Sequence, residues 1–243
     1  MKIGIIGTGT ITSAVVHGIA QDGHQITVSE RSADKARALA DLYPNVQIAD
    51  NQGVLDQSDI VITGLMAEVG RAILPGLRFR TDHQVISVMA GVSLEELATL
   101  VAPARSAAVM MPFPGIAQGG SPLMMQGDAD LVGRLFGARN SLFVLETAEE
   151  LDAYICAQAV LSPVARMVED AALWLGQRVG DPAQGEAFLR ALVASSLRDT
   201  PARTLIAALN TEGGYNQRLR QHIDAVGTGE ALTEGLNKLE RGA

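Results

Sequence analysis

Gly7, Thr8 and Gly9 follow a short apolar, β-branched run at the start of the chain and precede a helical pattern in which residue 14 is Ala. In that setting the first glycine permits a tight turn. The second lets backbone N–H groups approach a pyrophosphate at the head of the helix, and a small residue at 14 allows close helix–strand packing. Thr10 and Ile11 begin that helix and carry the N–H groups. An isolated Gly-x-Gly says little, but this one lies after a strand, before a helix, with a second strand about twenty residues on. Dinucleotide binding by residues 7–11 is therefore expected. The second strand ends in Ser29-Glu30-Arg31-Ser32. A carboxylate there can hydrogen-bond both ribose hydroxyls of NAD, whereas an Arg flanked by hydroxyls can neutralise the 2′-phosphate of NADP. Ser29, Arg31 and Ser32 together favour NADP, provided Glu30 points aside; with Glu30 on the ribose, NAD is the alternative.

Such a turn needs a sheet to hold it. Strands are expected at 2–6, 25–29, 46–49, 60–63, 84–88, 106–110, 123–125 and 142–145. The runs 3–6 and 60–62 are apolar throughout, as in parallel strands covered on both faces. Ser32 can cap a helix over 33–42, which Pro44 stops. Ser93 and Glu96 have capping-box spacing at the head of 94–100, and Asp128 can cap a helix through 136. After about residue 146 the strand signals end. A long helix over 149–175 should kink or break at Pro163. Helices at 185–196, 201–209 (Thr200 as cap, Pro201 in the first turn), 217–226 and 230–239 follow. The expected fold class is α/β: a Rossmann-type doubly wound sheet in residues 1–147, then an all-α domain in 148–243. So many apolar positions in fewer than a hundred helical residues predict packing against a second copy, a homodimer.

Composition narrows the function. Hydrophobic residues make up 47% of the 243, enough for a sizeable core. Cys156 is the one cysteine, so the chain has no internal disulfide and no cysteine-rich metal site, as suits the cytoplasm. His17, His24, His83 and His222 show no metal spacing, and no metal is expected. A net charge of −8 and 4% aromatics argue against nucleic acid as a partner. The apolar run 3–6 is too short for a leader or a membrane span. A small-molecule substrate is the expected partner.

Gly7-Thr8-Gly9-Thr10-Ile11 with Ala14, and Ser29 to Ser32, resemble the start of the pyrroline-5-carboxylate reductase family. The segment VISVMAGVSLEEL at 85–97 is similar to that family's S-x-x-A-G-V-x-x-x-x-L stretch. Met111-Pro112, Ser162-Pro163 and Gly213-Gly214 fall where the family has Met-Pro, Ser-Pro and a glycine pair. The resemblance spans essentially the whole chain. It implies NAD(P)H-dependent reduction of a cyclic imine in proline biosynthesis and a helical domain interleaved with a partner subunit. By position it implies cofactor contacts at Leu65, Met66, Ala90, Gly91, Met111 and Pro112. It also implies substrate contacts at Ser162, Thr211, Gly213 and Gly214, with Tyr215 and Asn216 nearest the chemistry.

Three stretches depart from the family. Its Val-Lys-Pro is Leu65-Met66-Ala67, its Asn after Met-Pro is Phe113, and its Ser-Pro-Gly-Gly-Thr-Thr loop is Thr211-Glu212-Gly213-Gly214-Tyr215-Asn216. Asn216 stands for a Thr near the imine nitrogen; its amide donates a hydrogen bond but is a poor general acid. Glu212 brings negative charge toward a bound carboxylate. Two other acceptor chemistries stay open, those of F420-dependent NADP reductases and hydroxyacid dehydrogenases, as does a nonenzymatic NAD(P)-binding sensor. Several residues also have plainer roles open to them. Tyr215 can be an interface aromatic, Ser162 can satisfy a helix carbonyl, and Cys156 can be core. Met66, Met89, Met110 and Met111 can be pocket walls and core, and Glu169-Asp170 can face solvent.

Overall fold

In the computed structural model, which describes residues 1–242, the β-branched runs become the middle of an eight-stranded sheet ordered β3-β2-β1-β4-β5-β6-β7-β8. The strands are β1 (Lys2–Ile6), β2 (Gln25–Ser29), β3 (Val46–Ala49), β4 (Ile60–Thr63), β5 (Gln84–Ser87), β6 (Arg105–Pro112), β7 (Pro122–Gly127) and β8 (Ser141–Val144). The first six run parallel. Ile5 is flanked by Val28 on one side and Ile62 on the other, so the apolar runs lie in register. β7 turns back antiparallel to β6, pairing Met110 with Met125, and β8 runs parallel to β7. The sheet order reverses between β1 and β4, which makes their carboxyl ends the crevice where such sheets take ligands. β6 and β7 exceed their expected lengths, pairing with each other from Ala108 opposite Gly127 to Pro112 opposite Leu123.

The helices α1 (Thr10–Ile19) and α2 (Ala33–Leu42) carry Val15, Val16, Ile19, Ala36 and Leu39 into one core with Ile3, Ile5, Ile26, Val28 and Ile62. Then come α3 (Asn51–Asp56), α4 (Ala67–Ile73), α5 (Leu94–Leu100) and α6 (Ala129–Val132). Asp128 caps α6 by accepting the Leu131 N–H at 2.8 Å, and the helix runs on as a wider turn over Gly133–Gly137. Only half of the capping box at α5 forms. Ser93 accepts the Glu96 N–H at 3.1 Å, but the Glu96 carboxylate turns to Arg71.

His83 is fully buried in this unit. Its Nδ1 accepts the Arg80 N–H at 3.0 Å, leaving Nε2–H to donate to the Leu55 carbonyl at 3.1 Å, so the ring is held neutral. Burial, then the nearby Arg80 charge, pushes its pKa below the ordinary 6.5; burial likewise lowers that of His24. The unfolded chain takes up a proton near pH 6.5 that the folded ring resists. The contribution is therefore intact above 6.5 and is lost progressively as pH falls below it. Urea unfolding should show lower stability at about pH 5.5 than at about pH 7.5, with a shallower slope in His83→Gln. A flat profile over that interval would rule the mechanism out.

The chain divides into two compact units, Met1–Leu151 and a second starting at Asp152. α7 (Ala148–Ala157) carries the chain past this point. The helix expected over 149–175 does break, but ahead of Pro163 rather than at it. A 3₁₀ turn at Gln158–Val160 separates α7 from α8 (Leu161–Gly176). Pro163 is the third residue of α8, where its missing N–H has no helical acceptor to lose. α9 (Pro182–Arg198) starts earlier than expected because Asp181 caps it, accepting the Gln184 N–H at 3.1 Å. At α10 (Ala202–Ala208) Pro201 itself occupies the cap position, so Thr200 is not the cap. α11 (Tyr215–Ala225) and α12 (Thr228–Glu240) complete the unit. Among the described residues from 152 on, Ala172 is the one buried hydrophobic side chain, while Leu173, Trp174, Phe188, Leu219 and Val226 are exposed.

Candidate functional site

The glycine turn is built from both sides of the switch point. Gly7 has φ +93°, and a Cβ on it would lie 2.6 Å from the Gly64 carbonyl oxygen, so a side chain is excluded twice over. Its N–H donates to the Ser29 hydroxyl at 2.9 Å, and the Thr8 hydroxyl donates to the Ser29 carbonyl at 2.8 Å. Thr12 closes the turn: its hydroxyl donates to the Gly7 carbonyl at 2.6 Å and accepts the Gly9 N–H at 2.7 Å. Gly9 differs from Gly7. A Cβ there would have one neighbour within 4 Å, the Thr12 hydroxyl at 3.8 Å, and otherwise project into open space.

That open space, at the head of a ten-residue helix, is the test of whether the residues fit a dinucleotide. α1 has no side-chain cap and no acidic residue in its first turn. The N–H groups of Thr10 and Ile11 and the positive end of the helix dipole are thus offered to an anion, and the missing Cβ of Gly9 clears its approach. The fit is good.

At the end of β2 the residues separate by role. Ser29 is buried, and its hydroxyl is engaged by Gly7, so it shapes the turn rather than presenting itself to a phosphate. Arg31 is exposed. Ser32 stands at the cap position of α2, but its hydroxyl makes no capping bond and is left available. Glu30, Arg31 and Arg37 line a crevice of about 440 Å³ floored by Ala33, Ala36 and Ile48. Lys35, which motif reading overlooks, reaches from the first turn of α2 to the head of α1, where its Nζ donates to the Thr10 hydroxyl at 3.0 Å. The signal in the sequence is a cation three residues after Ser32; only the packing of α2 beside α1 gives it a target.

The other cofactor candidates line the same carboxyl edge. Leu65 follows Gly64, whose N–H donates to the Ile6 carbonyl at 2.8 Å, and Met66 is the exposed cap residue of α4. Past β5, the Val88 N–H continues the ladder to the Thr63 carbonyl at 2.8 Å, Met89 is buried, and Ala90 and Gly91 are exposed. Met111 and Pro112 end β6, the first half-buried and the second buried. The structure thus gathers residues 7–11, 29, 31–32, 65–66, 90–91 and 111–112 on the ends of five adjacent strands.

In the second unit, Thr211 and Glu212 are exposed and lead into a tight turn at Gly213-Gly214. The Gly213 N–H donates to the Gln217 side-chain carbonyl at 2.9 Å, and the Gly214 N–H to the Thr211 carbonyl at 3.0 Å. Tyr215 and Asn216 are the first two residues of α11, and Tyr215 is almost wholly exposed. Ser162 is the second residue of α8 and is exposed. His222 lies in the last turn of α11, also exposed. Cys156 is half-buried. Glu169 and Asp170 face solvent, each within ion-pair distance of Arg166, at 3.5 and 2.9 Å. Among the described residues no cluster of three potential metal ligands occurs, and no helix is long and apolar enough to cross a membrane.

Comparison with known proteins finds a family model, described as NADP oxidoreductase, coenzyme F420-dependent, matching residues 2–91. The pyrroline-5-carboxylate reductase of Pasteurella multocida is 31% identical over 135 residues, 51% of this chain and 49% of that one. The Escherichia coli enzyme of the same name is 33% identical over 119 residues, covering 46% and 44%. The chain thus spans about half the length of the curated relatives it matches. In fold the likeness runs further. The 1-pyrroline-5-carboxylate reductase structure from Streptococcus pyogenes superposes with a TM-score of 0.83 at 23% identity, covering 99% of this chain and 97% of the other.

Proposed function

We infer that this chain belongs to the pyrroline-5-carboxylate reductase family, and that it uses NADPH to reduce the C=N bond of a small cyclic imino acid. One observation carries the cofactor half of this reading: an uncapped helix head behind Gly9, reached by Lys35, with Arg31 and Ser32 just past the end of the neighbouring strand β2. The likeness to reductases of that name over half the chain supports the acceptor half.

The dinucleotide supplies the hydride when bound, and the protein binds and orients it. In this reading the Thr10 and Ile11 N–H groups hold the pyrophosphate. Arg31, the free Ser32 hydroxyl and Lys35 hold the 2′-phosphate. Leu65, Met66, Ala90, Gly91, Met111 and Pro112 hold the nicotinamide riboside and exclude water. The Asn216 amide donates to the substrate nitrogen beside Tyr215, and Ser162, Thr211, Gly213 and Gly214 receive the rest of the substrate. To take a substrate carboxylate, the Gly213 N–H must leave Gln217, and Glu212 opposes a second negative charge.

The decisive assay is NADPH oxidation by the purified protein with 1-pyrroline-5-carboxylate, with 1-pyrroline lacking the carboxylate, and with hydroxyacids in the reverse direction. Turnover of the carboxylate supports the reading as stated. NADPH binding without turnover on the whole panel would make the chain a sensor instead. The family model ends at residue 91, so it supports an NADP half without assigning a deazaflavin. Lys238, the one lysine of the helical half, lies on the exposed surface of α12 paired with Glu234 at 2.6 Å, and nothing there favours a hydroxyacid dehydrogenase reading.

Cofactor preference has its own test. Each charge-assisted bond to the 2′-phosphate is worth about 1.5–3 kcal/mol, or roughly ten- to a hundredfold in affinity. Arg31→Met and Lys35→Met should each weaken NADPH binding in that range in calorimetry and leave NADH binding within about twofold. Equal losses for both cofactors would return the preference to NAD and give Glu30 the ribose.

A homodimer is part of the same proposal. The helical unit carries exposed Leu173, Trp174, Phe188, Leu219 and Val226, and a second copy is the partner that covers them. The single cysteine fits a reducing compartment, the cytoplasm.

A further inference from the structure

Arg71 and Glu96 lie twenty-five positions apart and meet on the surface, 45% and 32% exposed. An ion pair that open contributes little to stability. Yet its geometry is specific. Arg71 Nε donates to Glu96 Oε1 at 2.6 Å, Nη2 donates to Glu96 Oε2 at 3.1 Å, and the same Nη2 donates to the Gly91 carbonyl at 3.1 Å. Glu96 is itself fixed, its N–H given to the Ser93 hydroxyl that caps α5. The Arg71 pKa is raised and that of Glu96 lowered, each chiefly by their mutual hydrogen bonds, so both stay charged near neutrality.

The elements joined are what matter. Arg71 lies on α4, whose cap residue is Met66, and Gly91 lies in the loop leaving β5. These are the loops from two neighbouring strands beside the switch point. One residue before Arg71, Gly70 leaves no room for a side chain: a Cβ there would come within 2.6 Å of the Met89 sulfur. Helix α4 is therefore seated on the 88–92 loop by close packing at Gly70 and tied to its backbone by Arg71. Gly91 has φ +77° and nothing within 4 Å of where a Cβ would be, so its own surroundings do little to hold this stretch.

We propose that Arg71, held by Glu96, is a positioning residue that locks the Leu65–Met66 and Ala90–Gly91 loops together as one wall for the nicotinamide riboside. The inference rests on the NADPH reading above and adds a residue that touches neither cofactor nor substrate. A guanidinium is required because one planar fork must serve a carboxylate and a carbonyl at once, which an ammonium on a flexible stem does poorly.

The test compares NADPH with 2′,5′-ADP, which carries the adenosine phosphates but no nicotinamide riboside, by calorimetry on the intact protein. Arg71→Ala should weaken NADPH binding about tenfold and leave 2′,5′-ADP binding within about twofold. Arg71→Lys should recover only part of the loss. The melting temperature should move by no more than a few degrees, as for a surface pair. Equal weakening of both ligands, or unchanged NADPH affinity in Arg71→Ala, overturns the proposal. A wild-type protein that binds neither ligand overturns the cofactor reading, and this inference with it.

Discussion

Gly9→Val should cost at least a hundredfold in NADPH affinity while leaving the protein folded, and Gly7→Val should do the reverse, damaging the fold first. The two glycines are two residues apart, but their surroundings differ. At Gly9 the backbone has φ −90° and ψ −172°, conformations open to any residue, and a Cβ would meet nothing closer than 3.8 Å. The valine side chain would fill the space before the helix head that the pyrophosphate needs. A hundredfold corresponds to about 2.7 kcal/mol, a modest figure for displacing a diphosphate from several N–H groups. At Gly7, by contrast, φ is +93° and the Gly64 carbonyl lies 2.6 Å from the Cβ position. The left-handed backbone costs a valine roughly 1–3 kcal/mol, and the overpacking adds about as much again. Thermal melts and calorimetry on the two variants separate these outcomes. A Gly9→Val protein that melts normally and binds NADPH normally would mean that the anion does not sit there.

Replacing Leu173 with Asp should break the assembly and, with it, the folded state of the helical unit. Beyond residue 151 the described chain has one buried hydrophobic residue, Ala172, against many exposed large ones, the five already named among them. Burying a side chain such as Leu or Phe contributes about 1.5–3 kcal/mol. The chain alone leaves most of that gain unrealised, and the proposed dimer would recover it. For the wild type, unfolding midpoints should rise with protein concentration, as they do when folding and association are coupled. Sedimentation of Leu173→Asp should show monomer or aggregate, with reduced helical signal. If the wild type sediments as a monomer and its midpoint ignores concentration, the dimer is wrong.

Much of the first unit was legible because its signals are local. The ranges 2–6, 25–29, 46–49 and 60–63 match β1 to β4 to the residue, since β-branched runs bounded by turn residues have few alternatives. The glycine turn was legible for the same reason. What escaped depends on contacts distant in sequence. Lys35 is three residues past Ser32, but its target, Thr10, lies on another helix. Glu96 has the spacing to close a capping box, yet a guanidinium from α4 takes its carboxylate. Ser29 has the chemistry for a phosphate ligand, but the Gly7 N–H reaches it first. In the helical half Pro163 signalled a break within 149–175, but a proline fits a helix's first turn, so the interruption falls just before it, at Gln158–Val160. Tyr215 and Asn216 read as loop because glycines precede them, whereas α11 starts at once after Gly214.

The bond from Gly7 to the Ser29 hydroxyl has a consequence for how this protein could change over generations. It fastens the phosphate turn to the second strand at position 29 alone, while Arg31, Ser32 and Lys35 lie beyond the fastening. If the proposed cofactor reading holds, substitutions at those three positions would shift the protein between the two nicotinamide currencies of the cell without removing the bond that holds the turn to the strand. Competence to hold a dinucleotide and the choice of which one would then be written in separable parts of the same short stretch, and selection could revise the second while keeping the first.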